Sequence, residues 1–112
     1  MNNNYEHINP KLLTKKKDGT GEVTVFFESD KLLFATFELA PGCSLNIDIH
    51  PNGDEGYYIL EGELTVNLVD INVTRQVKKG EVFYIKSGIT HIASNSSEQI
   101  TRVIAAIGPR CN

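Results

Sequence analysis

Short runs of alternating apolar and polar residues, each closed by turn residues, occupy most of the chain. From Glu22 to Glu28, Val23, Val25 and Phe27 alternate with Glu22, Thr24 and Phe26, and after Ser29-Asp30 a second run covers Lys31 to Ala40. A period of two sends successive side chains to opposite faces of a strand, so these runs predict two strands joined by a tight turn. Pro41-Gly42 breaks the second. Leu45, Ile47 and Ile49 then alternate with Asn46, Asp48 and His50, which predicts a strand with its three polar residues on one face. Pro51 to Asp54 supplies turn chemistry, and Glu55 opens a run that folds back beside the first. Tyr57 to Leu60 and Glu63 to Leu68 read as a hairpin joined at Glu61-Gly62, where glycine accepts the positive φ of a tight turn. Val69 to Val77 continues extended, and Lys78-Lys79-Gly80 turns again. Val82 to Ile85 leads into a Lys86-Ser87-Gly88 turn, and the returning strand begins at His91. Ser96-Ser97-Glu98 separates it from a closing strand, Gln99 to Ile107. No segment holds a helical period for three turns.

Eight or more short strands with regular turns predict an all-β barrel or jelly roll. Closure removes exposed edges and leaves an interior whose inward side chains can hold a ligand. Residues 1–20 are polar and punctuated, with Asn2 to Asn4, Pro10 and a Lys15 to Lys17 run, and read as an arm that Leu12 and Leu13 anchor. Residues 21–112 form the barrel domain.

Composition narrows the partners. At 112 residues there is room for one domain, and 11 basic against 14 acidic residues leave a mildly negative chain. That balance argues against nucleic acid or an anionic membrane and for a small soluble ligand. With no apolar run of membrane-spanning length and no secretion signal, a cytoplasmic location is expected. Cys43 and Cys111 lack zinc-site spacing and read as free thiols.

The chemistry gathers where the turns bring polar residues together. Asp48, His50, Glu55 and His91 are all metal-ligand types on elements expected to converge inside the barrel. Two carboxylates and two imidazoles buried together call for a compensating cation. Tyr57, two residues after Glu55, shares its inward face and is the candidate catalytic acid or base, with a pocket-lining role as the plainer alternative. Asn46, Ile59, Phe83 and Ala93 are candidate wall residues, and Lys86 is a candidate for the pocket mouth. Asn95 is expected to tie down a strand end.

These stretches resemble the paired motifs of the cupins, G-x5-H-x-H-x4-E-x6-G and G-x5-P-x-G-x2-H-x3-N. The first fits Gly42, Asp48, His50, Glu55 and Gly62, and the second Gly80, Gly88, His91 and Asn95. Asp48 departs from the first histidine of the pattern and Lys86 from its proline. The resemblance implies a double-stranded β-helix, one divalent metal (Mn, Fe, Zn, Ni or Co) held by Asp48, His50, Glu55 and His91, and a homodimer. It implies a metal-dependent isomerase, lyase, cyclase or dioxygenase acting on a sugar or organic acid, or a non-catalytic protein that binds such a molecule. As a ligand, Asp48 makes the site neutral with a divalent ion and favours manganese or iron. As a base, it leaves His50, Glu55 and His91 as a metal face with open positions.

Overall fold

In the computed structural model, which describes residues 4–109, the alternation is realised as nine strands. These are β1 (Lys16–Asp18), β2 (Gly21–Glu28), β3 (Leu33–Leu39), β4 (Asp54–Glu61), β5 (Glu63–Leu68), β6 (Val73–Lys78), β7 (Val82–Ile85), β8 (His91–Ser94) and β9 (Thr101–Gly108). One sheet runs β1-β2-β3-β9-β4-β7 and the other β6-β5-β8, with every pairing antiparallel. Phe37, Leu39, Ile59 and Val103 of the larger sheet bury their side chains against Leu64, Val66 and Val77 of the smaller. Side chains from two inner faces thus form one core, and the architecture is the expected jelly roll, a double-stranded β-helix.

Register sets the rows that matter for the site. Across β4, β9, β3 and β2, Glu55 stands opposite Ile107, Leu33 and Glu28 in turn, and the next inward row is Tyr57, Ala105, Ala35 and Val25. The row after that is Ile59, Val103, Phe37 and Val23.

Local structure departs from the alternation in five places. Lys16–Asp18 pairs with β2 and is a strand inside the expected arm. It shows no apolar period because an edge strand can be held by backbone hydrogen bonds alone, and its lysines discourage further pairing. Residues 42–50 run beside β8 with only isolated bridges, Ser44 to Ser94 and Asp48 to His91. Four steps on one side match three on the other, so one extra residue breaks the regular strand expected there. A bulge between Val25 and Phe27 likewise ends the shared face of Val23, Val25 and Phe27, and Phe27 packs on Phe34 with ring centroids 5.8 Å apart. Gly62 does take positive φ (75°), but β4 and β5 belong to different sheets, so it turns a corner and closes no hairpin. Finally, Val69–Ile71 is a 3-10 turn ended by Asn72 at φ 54°, which separates β5 from β6. Cys111 and the first three residues of the arm lie outside the described residues.

Candidate metal centre

Three elements deliver the site. His50 ends the extended segment, and its backbone carbonyl accepts a hydrogen bond from Gly88 N (2.9 Å), which ties it to the loop between β7 and β8. Glu55 lies near the start of β4, paired with Ile85 on one side and Ile107 on the other. His91 opens β8 and pairs with Leu68 of β5. All three side chains are buried, and one ligand atom from each falls within 4.8 Å of the other two. Sheet pairing holds the backbones of Glu55 and His91, and the bond from Gly88 N holds that of His50, so the three side chains converge on backbone the fold already fixes.

The hydrogen bonding of this group is incomplete in a specific way. His91 Nδ1 sits 3.0 Å from the carbonyl oxygen of Ile89. A carbonyl only accepts, so Nδ1 carries the proton, and in a neutral imidazole Nε2 is then a bare lone pair. That lone pair points at Glu55 Oε1 from 2.9 Å, and Oε1 is buried with no hydrogen-bond partner. His50 Nε2 lies 3.5 Å from the same oxygen. Two electron pairs facing each other at this distance call for a positive charge between or on them. A proton on His91 is one solution, and a metal ion is the other. The donor set of two imidazole nitrogens and one carboxylate suits a divalent transition metal.

The titration behaviour follows from this arrangement. Burial is the largest influence on Glu55 and raises its pKa, but the hydrogen bonds and charges of His50 and His91 outweigh it and leave the carboxyl below its usual range. Burial likewise acts most strongly on His91 and lowers it. The hydrogen bond to Glu55, the Ile89 carbonyl and the Glu55 and Asp48 charges together raise it above the ordinary value. Tyr57 is pushed well above the usual phenol range, first by burial and then by the charge of Glu55 and the hydrogen bond to it. The phenol therefore stays protonated at neutral pH and is available as a donor.

Asp48 stands at the margin of this group. Its side chain is 56% exposed, with Oδ2 3.4 Å from His50 Nε2 and Oδ1 accepting from Ile49 N at 2.8 Å. The other expected residues divide. Asn46 and Ala93 line the cavity beside the site, whereas Ile59 is core and Phe83 packs against the core from outside it. Lys86 is exposed and is not part of the cavity wall. Asn95 does tie down a strand end, donating to the carbonyls of Leu39 and Gln99 and accepting from Ser97.

Two features were not read from sequence. Asp54 looked like a turn residue, yet it accepts hydrogen bonds from Tyr84 Oη (2.5 Å) and Ser87 N (2.9 Å), bracing the loop that holds His50. Only its position beside Glu55 signalled this. The cavity itself, about 510 Å³, opens between the two sheets and is walled by Val25, Ala35, Phe37, Ala105 and Ile107 as well as by the site residues. It exists because the central row carries alanine at positions 35 and 105, which strand periodicity alone does not mark.

A jelly roll that turns two histidines and a glutamate inward from the motif positions defines a class of small β-barrel proteins with a metal-ligand set. The model of the Cupin domain family matches residues 35–107, and the chain belongs to that family. It is similar to the oxalate-binding protein of Thermotoga maritima, with 30% identity over 107 residues that cover 89% of this chain and 87% of that protein. Nectarin-1 of Nicotiana langsdorffii x Nicotiana sanderae is 33% identical over 75 residues, 64% of this chain, and the match spans only 33% of Nectarin-1. Among solved structures, a predicted oxalate decarboxylase from Thermotoga maritima superimposes with a TM-score of 0.81 at 23% identity, covering 92% of this chain and 98% of that one. Membership supports a cupin-like enzyme or binding role. Among the described residues, no helix is long and apolar enough to cross a membrane.

Proposed function

We propose that the protein holds one divalent metal on His50, Glu55 and His91 and uses it to bind and activate a small oxygen-bearing organic molecule. The observation that carries this reading is the convergence of three donor atoms, with His91 Nε2 2.9 Å and His50 Nε2 3.5 Å from the buried Glu55 Oε1. When bound, the metal supplies Lewis acidity, which polarises a substrate oxygen and stabilises an enolate-like charge. The residues around it do the rest. Asp48, beside His50 and open to solvent, is placed to take a proton, and Tyr57, which lines the cavity and keeps its hydroxyl proton, is placed to offer a hydrogen bond to a developing oxyanion. Such a pair suits an isomerase, lyase or cyclase. The alternative, binding without turnover, draws support from the printed name of the oxalate-binding relative.

A second copy of the chain is the partner its surface suits. Ile47 and Ile49 are exposed beside the site, and Tyr58, Val82 and Tyr84 are exposed together on β4 and β7. Sedimentation at micromolar concentration distinguishes a dimer from a monomer. For the metal, the test is elemental analysis of protein purified without chelators, followed by titration of His50→Ala and His91→Ala. Near-stoichiometric metal in the parent and its loss in both variants is the expected result. Protein that takes up no metal overturns the reading.

A further inference from the structure

The cavity that the metal ligands line on one side is much larger than a small oxygen-rich molecule requires. At about 510 Å³ it falls in the range of pockets that enclose ligands of many heavy atoms. Lys16, Lys17, Asp18, Glu28 and Asn46 line it as well as the metal-site residues, but one row of its wall is apolar apart from a single tyrosine. Next to the Glu55 row, the inward positions read Tyr57, Ala105, Ala35 and Val25 across four adjacent strands, with Phe37 in the following row. Ala35 and Ala105 are buried and bring no hydrogen-bonding side chain. Their small size opens a recess there, flanked by the rings of Phe37 and Tyr57, whose centroids are 5.5 Å apart at 78°.

A sugar presents hydroxyls around its whole ring, and those turned toward this recess would lose water without gaining partners. A two-carbon dicarboxylate would satisfy the metal end and leave the recess empty. We infer that the ligand has an apolar body the size of one or two fused rings, lying over Ala35 and Ala105, with an oxygen-bearing edge directed at His50, Glu55 and His91. This inference deepens the metal reading above, and it narrows the expected sugar or organic acid to an acid or enol on an apolar frame.

The test uses protein loaded with Mn(II) and two probes with the same ortho hydroxy-carboxylate edge, salicylate and 3-hydroxy-2-naphthoate, which differ by one fused ring. Calorimetry is expected to show the naphthoate binding tighter by about tenfold or more, since the added ring buries apolar surface. Ala105→Leu fills the recess and is expected to remove that gain while leaving Mn(II) affinity unchanged. Ala105→Val serves the same purpose if the larger change disturbs folding, as judged by circular dichroism. Equal affinity for the two probes, or a gain that survives both substitutions, overturns the inference. Parent protein that binds no Mn(II) overturns the metal reading instead. The same probes on metal-free protein then decide the recess alone: a tenfold gain removed by Ala105→Leu supports it, and no gain overturns it.

Discussion

The backbones of Asp48 and His91 exchange two hydrogen bonds, Asp48 N to His91 O at 3.0 Å and His91 N to Asp48 O at 2.9 Å. Directly opposed residues of an antiparallel pair present their side chains to the same face. The bridge therefore brings Asp48 alongside the buried group of His50, Glu55 and His91 without burying its carboxylate, which stays more than half exposed and partly engaged with Ile49 N.

That placement separates the two roles of Asp48. Asp48→Ala is expected to leave metal affinity within about threefold of the parent, less than the ~1.4 kcal/mol of a tenfold change. Turnover or proton exchange, where a substrate is found, should fall far more, because a general base contributes on the order of a hundredfold or more. Isothermal titration with Mn(II) decides between them. A loss of tenfold or greater makes Asp48 a fourth ligand.

Glu55 pairs with the imidazoles around it in the metal-free protein. Removing one partner of a buried ion pair leaves the other without its counter-charge and costs about 3–5 kcal/mol, an upper bound where the remaining histidine can shed its proton. Glu55→Leu is thus expected to abolish metal binding and to lower the melting temperature of the metal-free protein at pH below the raised His91 pKa. Differential scanning calorimetry with and without chelator checks both halves. A metal-free variant that melts at or above the metal-free parent would mean that the carboxylate does nothing for the fold without a metal.

Much of this was legible because the sequence advertises what repeats. The strands from Gly21 to Gly108 follow alternation and glycine-marked turns, and the motif spacing marks His50, Glu55 and His91, whose ligand atoms do fall within 4.8 Å of one another. Interactions that leave no periodic trace were hidden. Lys16–Asp18 joins the sheet through main-chain hydrogen bonds that any sequence can make. The extra residues near Phe26 and between Ser44 and Asp48 shift side chains between faces, and a one-residue slip reverses every later assignment. The recess at Ala35 and Ala105 depends on residues from strands far apart in the chain becoming neighbours in one row.

A metal ion held by His91 would compete there with a proton. Its pKa is raised in the metal-free protein and that of Glu55 is lowered, so the imidazolium-carboxylate pair forms between the two values. The His91 contribution to metal-free stability is complete below the unfolded histidine pKa and is lost as pH rises through the raised folded value. The Glu55 contribution is present above the unfolded carboxylate pKa and is lost as pH falls through the lowered folded value. Metal binding needs His91 Nε2 free of its proton, so affinity should rise with pH through the raised His91 pKa and then level off. Calorimetry in buffers of different ionisation enthalpy is expected to show a proton released on binding below the raised His91 pKa, and none above it. Affinity independent of pH across this range would remove His91 from the metal site.

The corner at Gly62 joins the two sheets that enclose the cavity, and it is held by both conformation and space. Gly62 has φ 75°, and a Cβ built there falls 2.4 Å from the carbonyl oxygen of Ile100 and 2.9 Å from Thr101 Oγ1. Gly80 has an equally positive φ of 84°, but no atom lies within 4 Å of its would-be Cβ. Alanine at position 80 therefore incurs only the left-handed penalty of roughly 1–2 kcal/mol. At position 62 the same penalty is joined by a clash with backbone that cannot move without disturbing Thr101, whose hydroxyl donates to Glu63 O at 2.6 Å. Gly62→Ala should cost at least ~3 kcal/mol, the sum of strain and overpacking, against ~1–2 kcal/mol for Gly80→Ala. Urea unfolding of both variants measures the difference. Equal destabilisation would show that conformation alone, and no close approach of Ile100, holds the corner between the sheets.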